Sequence, residues 1–370
     1  MTGITFESRG DTFIINSESE MELLSSAVLN GGRRSAKHII NHTVPKNFNH
    51  VNPEVVLTRV AKKLALNVNE TTGMMTAAKT SKTTTARRKG IFVAVTAGTS
   101  NAAAAGDSPA KYGAGTINTI VVMDGVLDEP AFAGMIQTVT EAKVMALRNL
   151  DIRSCASHLP ATGTTTDATL IASTARGKRH RYAGTATDIG ASVSIVVTDA
   201  ITKAILDEQG TVAFRPLQER LRDRGITIDD MVSTAMELYI HHPSMGSIKD
   251  VRKKLKKIMS NNLNDINISA MFIAGMRAEE DGKAGLIPGI TPELFASDPV
   301  HLVADELIGM EIAQYIAGSR GLFEYMRFDR KKPGILKNLE PFMDDLVGSF
   351  IGGCSSLLYT QLMEGKDGSD

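Results

Sequence analysis

The stretch TINTIVVMDG, Thr116–Gly125, decides the fold of the first half of this chain of 370 residues. It is a short apolar run that ends in Gly, the form of a strand buried in a sheet core. GIFVAVTAG, Gly90–Gly98, has the same form and supplies a second core strand. Upstream, ITFES and TFIINS read as a hairpin about Arg9–Gly10. TTGMMTAAKTSKTTTARRKG, Thr71–Gly90, begins as a strand and continues as a polar loop. Downstream, DEPAFAGMIQTVTEAKVMALRNL carries Pro130 near its start and apolar residues at helical spacing, which predicts a long helix. DIGASVSIVVTDAITKAILDEQG predicts another, ended by Gly210.

After Gly210 the pattern changes. TVAFRPLQER reads as a linker and restart, and the segments beyond it are almost all helical: Leu217–Asp223, Ile228–Ile240, Ile248–Asn261, Ile266–Asp281, His301–Ala317 and Phe342–Gln361. We therefore expect two domains, residues 1–209 and 210–370. The first is α+β, with a mostly β core and packed helices; the second is all-α.

Charge excludes some functions. Lys+Arg and Asp+Glu both total 41, so no global field draws nucleic acid or an anionic membrane. The basic runs IKDVRKKLKKIM and RGKRHR read as a solvated helix face and an exposed turn. The longest apolar runs, Leu302–Ile316 and Leu346–Leu358, are too short or too interrupted by charge for a membrane span. The N-terminus lacks the pattern of a signal peptide. Cys155 and Cys354 lie far apart near apolar residues and read as reduced packing residues of a cytoplasmic protein. No CxxC, HExxH, GxGxxG or Walker loop occurs. Oligomeric state is open.

The C-terminal region places carboxylates beside apolar surface. On HLVADELIGMEIAQYIAG, Asp305 lies between Ile312 and Ile316, and Glu306 between Leu302, Met310 and Ala313. Asp344 borders the stripe of Val347 and Ile351 in PFMDDLVGSFIGG, with Asp345 farther round, and Asp329 sits in RFDRKKPGI. Ionised carboxylates are costly to bury alone and need cations. Ion pairing with Arg327, Arg330, Lys331 or Lys332 meets that need, and so does a hard metal such as Mg²⁺. Spacing alone leaves both open.

In that order, DPVHLVADELIGMEIA, RFDRKKPGI and MDDLVG resemble the phosphatidylglycerophosphatase A superfamily over roughly Leu217–Leu362, through Asp298, Val303, Asp305, Glu306, Gly309, Arg327, Phe328, Asp329, Lys332, Pro333, Asp344 and Asp345. The hydrophobic spans of the membrane-bound lipid phosphatases are lacking, so the chain looks like the soluble branch, which includes archaeal α-ribazole-5′-phosphate phosphatases. The resemblance implies that Asp305, Glu306, Asp329 and one or both of Asp344 and Asp345 gather around Mg²⁺. Arg327, Lys332 or Arg330 would hold phosphate oxygens.

The first half carries polar turns at strand ends: VTAGTSNAAAAGD, GAGTIN and PATGTTTDA. Each alone is ordinary turn chemistry. Together TAGTSNAAAAGD, GTIN, TEAK, Arg153–Ser154, ATGTTTD and YAGTAT resemble the adenosylcobinamide amidohydrolase family over roughly Ile14–Gln209. The family hydrolyses the amide between the corrin's propionyl arm and aminopropanol. The resemblance implies Asp107, Glu141 and Asp167 as acid/base residues, with Asn101, Thr116, Asn118, Thr164 and Thr166 as substrate-binding donors. No metal is indicated in this half. Ala104, Thr165, Asp188 and Ala191 depart from residues common in relatives. The pairing of the two halves resembles the bifunctional archaeal corrinoid-salvage proteins, and implies corrinoid and α-ribazole phosphate as small-molecule substrates. Alternatives are another phosphate substrate, such as phosphatidylglycerophosphate, and a non-catalytic corrinoid-binding first domain.

Overall fold

The computed structural model describes residues 1–108, 113–209, 215–241 and 246–363. The chain divides into two compact units, Met1–Phe214 and Arg215–Asp370.

The first unit is mixed α/β. Its main strands are β1 (Ile4–Arg9), β2 (Thr12–Ser25), β3 (Gly32–Thr43), β4 (Thr71–Thr76), β5 (Thr84–Arg88), β6 (Ile91–Ala97), β8 (Ile117–Met123) and β11 (Ala168–Ser173). The sheet order is β4-β3-β2-β11-β8-β6-β5, with β1 added on β2. Pairs β3–β4 and β11–β8 are parallel and the rest antiparallel. Two-residue strands β7 (Ala102–Ala103) and β10 (Gly163–Thr164) pair with each other, as do β9 (Val126–Leu127) and β12 (Arg179–His180).

Both central strands are buried on both faces, which is why they read as continuous apolar runs. Ile91, Val93 and Val95 of β6 and Val121 and Met123 of β8 meet helices α2 (Glu129–Asn149) and α3 (Asp188–Gln209). The alternate residues Phe92, Ala94, Ile120 and Val122 share another core with Phe13 and Ile15 of β2. A bulge between Asn16 and Met21 shifts the β2–β3 register. Helix α1 (Pro53–Lys63) packs Leu57 and Ala61 onto Ile14 and Ile40.

The second unit is helical: α4 (Leu217–Arg222), α5 (Ile228–Glu237), α6 (Ile248–Asn262), α7 (Ile266–Lys283), α8 (Pro292–Ala296), α9 (Ala304–Lys331) and α10 (Pro341–Met363). Helix α10 is buried over most of its circumference and packs Leu346, Phe350 and Cys354 into one core with Leu255, Phe272, Ile312 and Phe328. The lysine-rich helix is amphipathic, with Val251, Leu255, Ile258 and Met259 inside and most of its lysines on the exposed face.

Helix α9 is two arms. Gly318 has φ +60° and ψ −152°, a conformation open in practice to glycine alone, and Ala317 before it has φ −141°. The chain folds back there, so Gly321 lies against the Ala313 carbonyl and Gly309 against the Tyr325 hydroxyl. The helix predicted to end at Ala317 does end a straight arm, and the second arm was not foreseen.

Several expectations need correction. Residues 84–88, read as polar loop, form β5 at a sheet edge. Arg179–His180 in the basic run form a strand pair, with Arg179 bound to Asp128 at 2.8 Å. Cys155 is exposed, not packed, while Cys354 is buried as expected. Asp188–Glu208 and Pro341–Met363 are long and apolar enough to cross a membrane by length and composition. Each nevertheless contributes a buried face to the core of its own unit. The stop assigned to Gly210 lies outside the described residues.

Candidate functional site

In the first unit, the ends of β3, β4 and β6 and the entries to β8 and β11 converge on a cavity of about 350 Å³. Its lining includes Asn101, Thr116 and Thr166, which the sequence had singled out, with Thr165, Lys46 and Phe48. The Thr116 and Thr166 hydroxyls lie 2.7 Å apart, and both also reach the Gly115 carbonyl, at 2.7 and 2.8 Å. Two hydroxyl protons thus face three acceptors, and either can turn towards a ligand oxygen without being the last satisfier of that carbonyl. Asn101 donates to the Thr165 hydroxyl at 2.7 Å, while its own amide oxygen is buried without a donor.

Asn118 is fully buried one layer deeper. Its amide donates to Asn41 Oδ1 at 2.9 Å and to the Met75 carbonyl at 2.7 Å, and its oxygen also lacks a donor. Asn41 in turn donates to Thr96 at 2.9 Å. Buried polar groups without partners are uncommon and costly.

Among the described residues, none of the three expected acid/base carboxylates lines this cavity. Asp167 lies just behind it, saturated with donors: the backbone N–H groups of Ile117 and Thr164 at 2.9 and 3.0 Å, the Thr164 hydroxyl, and Lys143 at 2.6 Å. It ties the Thr164–Thr166 turn to β8. Asp107 accepts from Ala104 N–H at 2.8 Å and from the Ser154 hydroxyl at 2.5 Å. The Ser154 and Ser157 hydroxyls and that N–H hold its carboxyl below the usual carboxylate range. Glu141 is exposed on α2, and Lys143, two residues on in TEAK, is the inward-facing residue. Lys143 was legible as half of that motif; Asn41, Lys46 and Phe48 carried no sequence signal.

In the second unit the arms of α9 and the first turn of α10 gather the carboxylates. Oxygens of Asp305, Glu306 and Asp345 lie within 4.8 Å of one another. Asp305 is fully buried; one oxygen accepts from Glu306 N–H at 3.1 Å and the other has no partner. One oxygen of Glu306 and one of Asp344 are also buried and unpaired. Asp345 accepts from the Tyr325 hydroxyl at 2.8 Å. Burial, with Glu306 beside it, pushes Asp305 up to about 8. Burial also raises Asp345 to about 7 and Asp344 to about 6, against the pull of Tyr325 and Lys332 on the former and of Lys332 on the latter.

Asp329 and Asp344 sit instead around Lys332, which contacts Asp344 directly and lies 3.3 Å from Asp329. Burial alone would lower the Lys332 ammonium, but these carboxylates outweigh it and hold it above the usual lysine range. Arg327 points away, bound to Glu324 at 2.6 Å and to the Leu238 carbonyl at 2.8 Å. Lys332 neutralises one side of the cluster, and the trio of Asp305, Glu306 and Asp345 keeps orphaned oxygens that suit a hard divalent cation. Tyr325, four residues before Asp329, was missed.

A sequence profile of the adenosylcobinamide amidohydrolase family matches residues 2–213. The adenosylcobinamide amidohydrolase of Methanosarcina mazei is 32% identical over 206 residues, 53% of this chain and 93% of that protein. That of Halobacterium salinarum is 28% identical over 189 residues, 49% of this chain and 78% of that one. An uncharacterized protein of Methanocaldococcus jannaschii is 33% identical over 135 residues, 35% of this chain and 99% of its own length. Among solved structures, the low temperature requirement C protein from Listeria monocytogenes matches 39% of this chain and 93% of its own, at 23% identity and a TM-score of 0.35.

Proposed function

This chain belongs to the adenosylcobinamide amidohydrolase family, and from that premise we propose that the cavity at Asn101, Thr116 and Thr166 hydrolyses the aminopropanol amide of adenosylcobinamide. The second unit, in the same reading, is a Mg²⁺-dependent phosphatase that releases phosphate from α-ribazole 5′-phosphate. The two products, adenosylcobyric acid and α-ribazole, both feed cobamide assembly.

The observation that carries the amidase reading is the family match over the unit that holds the cavity. One of the Thr116 and Thr166 hydroxyls turns to donate to the amide oxygen as it gains negative charge, while the other keeps the Gly115 carbonyl satisfied. The donorless Asn101 oxygen accepts the N–H of the departing amine. Asp167 positions the threonine turn through its four donors, and Glu141 and Asp107 are the remaining candidates for proton transfer.

The phosphatase reading rests on the Asp305, Glu306 and Asp345 cluster with its unpaired buried oxygens. A bound Mg²⁺ would neutralise phosphate charge and lower the pKa of an attacking water. Asp305, Glu306 and Asp345 would hold it, and Lys332, released from Asp344, would meet a phosphate oxygen.

The test is a two-substrate assay of the purified chain. Aminopropanol released from adenosylcobinamide supports the amidase; binding without release would make the first unit a corrinoid-binding module. Mg²⁺-dependent phosphate release from α-ribazole 5′-phosphate supports the phosphatase. Release from phosphatidylglycerophosphate alone would reassign its substrate.

A further inference from the structure

We infer that Tyr325 is a positioning residue of the second unit's cation centre, fixing the rotation of the Asp345 carboxylate so that it converges with Asp305 and Glu306. The inference rests on the reading of that cluster as a metal site.

Tyr325 is 4% exposed, and its hydroxyl donates to Asp345 Oδ1 at 2.8 Å across the interface between the second arm of α9 and α10. An aspartate carboxylate turns freely about its last torsion, which is broad and roughly two-fold. One donor on one oxygen fixes the plane of the group and so the direction of the other oxygen. A phenol does this without adding charge, so the carboxylate keeps its charge for a cation. Lys332 works differently: it lies 3.9 Å from the same Asp345 oxygen but makes its direct contact with Asp344.

Close packing holds the ring in place. A β-carbon at Gly352 would lie 2.6 Å from the backbone of Tyr325, and one at Gly309 would lie 3.2 Å from its hydroxyl oxygen and 3.1 Å from the Asp345 carbonyl. Two glycines, one on α10 and one on the first arm, thus let the second arm seat this side chain against the carboxylate. Phenylalanine would fill almost the same volume. The hydroxyl therefore has a polar task, and its partner is a member of the converging trio. Partners that orient metal-binding groups typically change metal affinity by about 10–100-fold when removed.

The experiment is a calorimetric titration of the full-length chain with Mn²⁺, with the electron paramagnetic resonance signal of bound Mn²⁺ recorded alongside. For Tyr325→Phe we expect the dissociation constant to rise about 10-fold or more, with an altered signal. In an Asp345→Asn background the same change should have no further effect, because the phenol acts through Asp345. Equal affinity and signal for Tyr325→Phe and the parent would overturn the inference while leaving the metal site standing. An additional loss in the Asp345→Asn background, or a Tyr325→Phe chain that no longer folds, would also overturn it, by assigning Tyr325 to the fold. A parent chain that binds no Mn²⁺ would remove both this inference and the phosphatase reading beneath it.

Discussion

Asp305 and Asp345 are acids held in the wrong state for ordinary carboxylates. Both are raised, to about 8 and about 7, chiefly by burial. Unfolded, they release their protons near pH 4. Between these limits the folded unit holds protons that the unfolded chain has lost. Metal-free stability from these groups is thus full below about pH 4 and is lost as pH rises towards 8. We expect the second unit's unfolding midpoint in chelator to fall over that range. Mg²⁺ should restore it most at the alkaline end, and Asp305→Asn should flatten the slope and abolish the Mg²⁺ effect; melting curves against pH check all three. In the first unit, Asp167→Asn leaves Lys143 facing a neutral partner and should cost about 3 kcal/mol of stability along with activity. Glu141→Gln, on an exposed face, should leave the melting curve unchanged. If Glu141 transfers a proton, turnover of adenosylcobinamide should fall roughly 10²–10⁴-fold; unchanged turnover would remove it from the mechanism. The candidate carboxylates were legible because Asp and Glu beside apolar runs stand out. Tyr325 was not, since a tyrosine on a helix reads as packing until its partner is known.

At the scale of elements, strands and helices followed from local signals. β6 and β8 showed as apolar runs closed by glycine, and α2 as a periodic helix begun by Pro130. Long-range register did not show. The bulge that shifts β2 against β3 between Asn16 and Met21 depends on pairing partners many residues away. So does β5, whose TTARR carries no apolar alternation and becomes a strand only because β6 lies beside it. The fold-back of α9 is intermediate: a lone glycine in a helical stretch signals a break, but not its direction. Gly318→Ala should cost roughly 1–3 kcal/mol, because alanine is strained at φ +60°, ψ −152°. Urea unfolding of the second unit measures the loss, and Mg²⁺ affinity should fall with it, since the two arms carry Asp305 and Tyr325 respectively.

At the scale of the whole molecule, the expectation of domains 1–209 and 210–370 comes from a change near residue 210 from Thr/Ala/Gly-rich strand patterns to continuous helical ones. The compact units are Met1–Phe214 and Arg215–Asp370, and the two largest described cores each draw their residues from one of them. We expect fragments 1–214 and 215–370 each to fold and each to keep one activity. Chelator should silence only the second. Loss of both activities from well-folded fragments would refute independent sites. The fold-back at Ala317–Gly318 also bears on how the chain tolerates changes in length. Each residue inserted into a helical arm turns everything beyond it by about 100° and moves it 1.5 Å. One extra residue between Gly309 and Ala313 would swing Asp305 and Glu306 off the face that meets Asp345, although no existing residue had changed. In homologous chains, insertions and deletions in this region should therefore be excluded from both arms and confined to the two-residue turn between them.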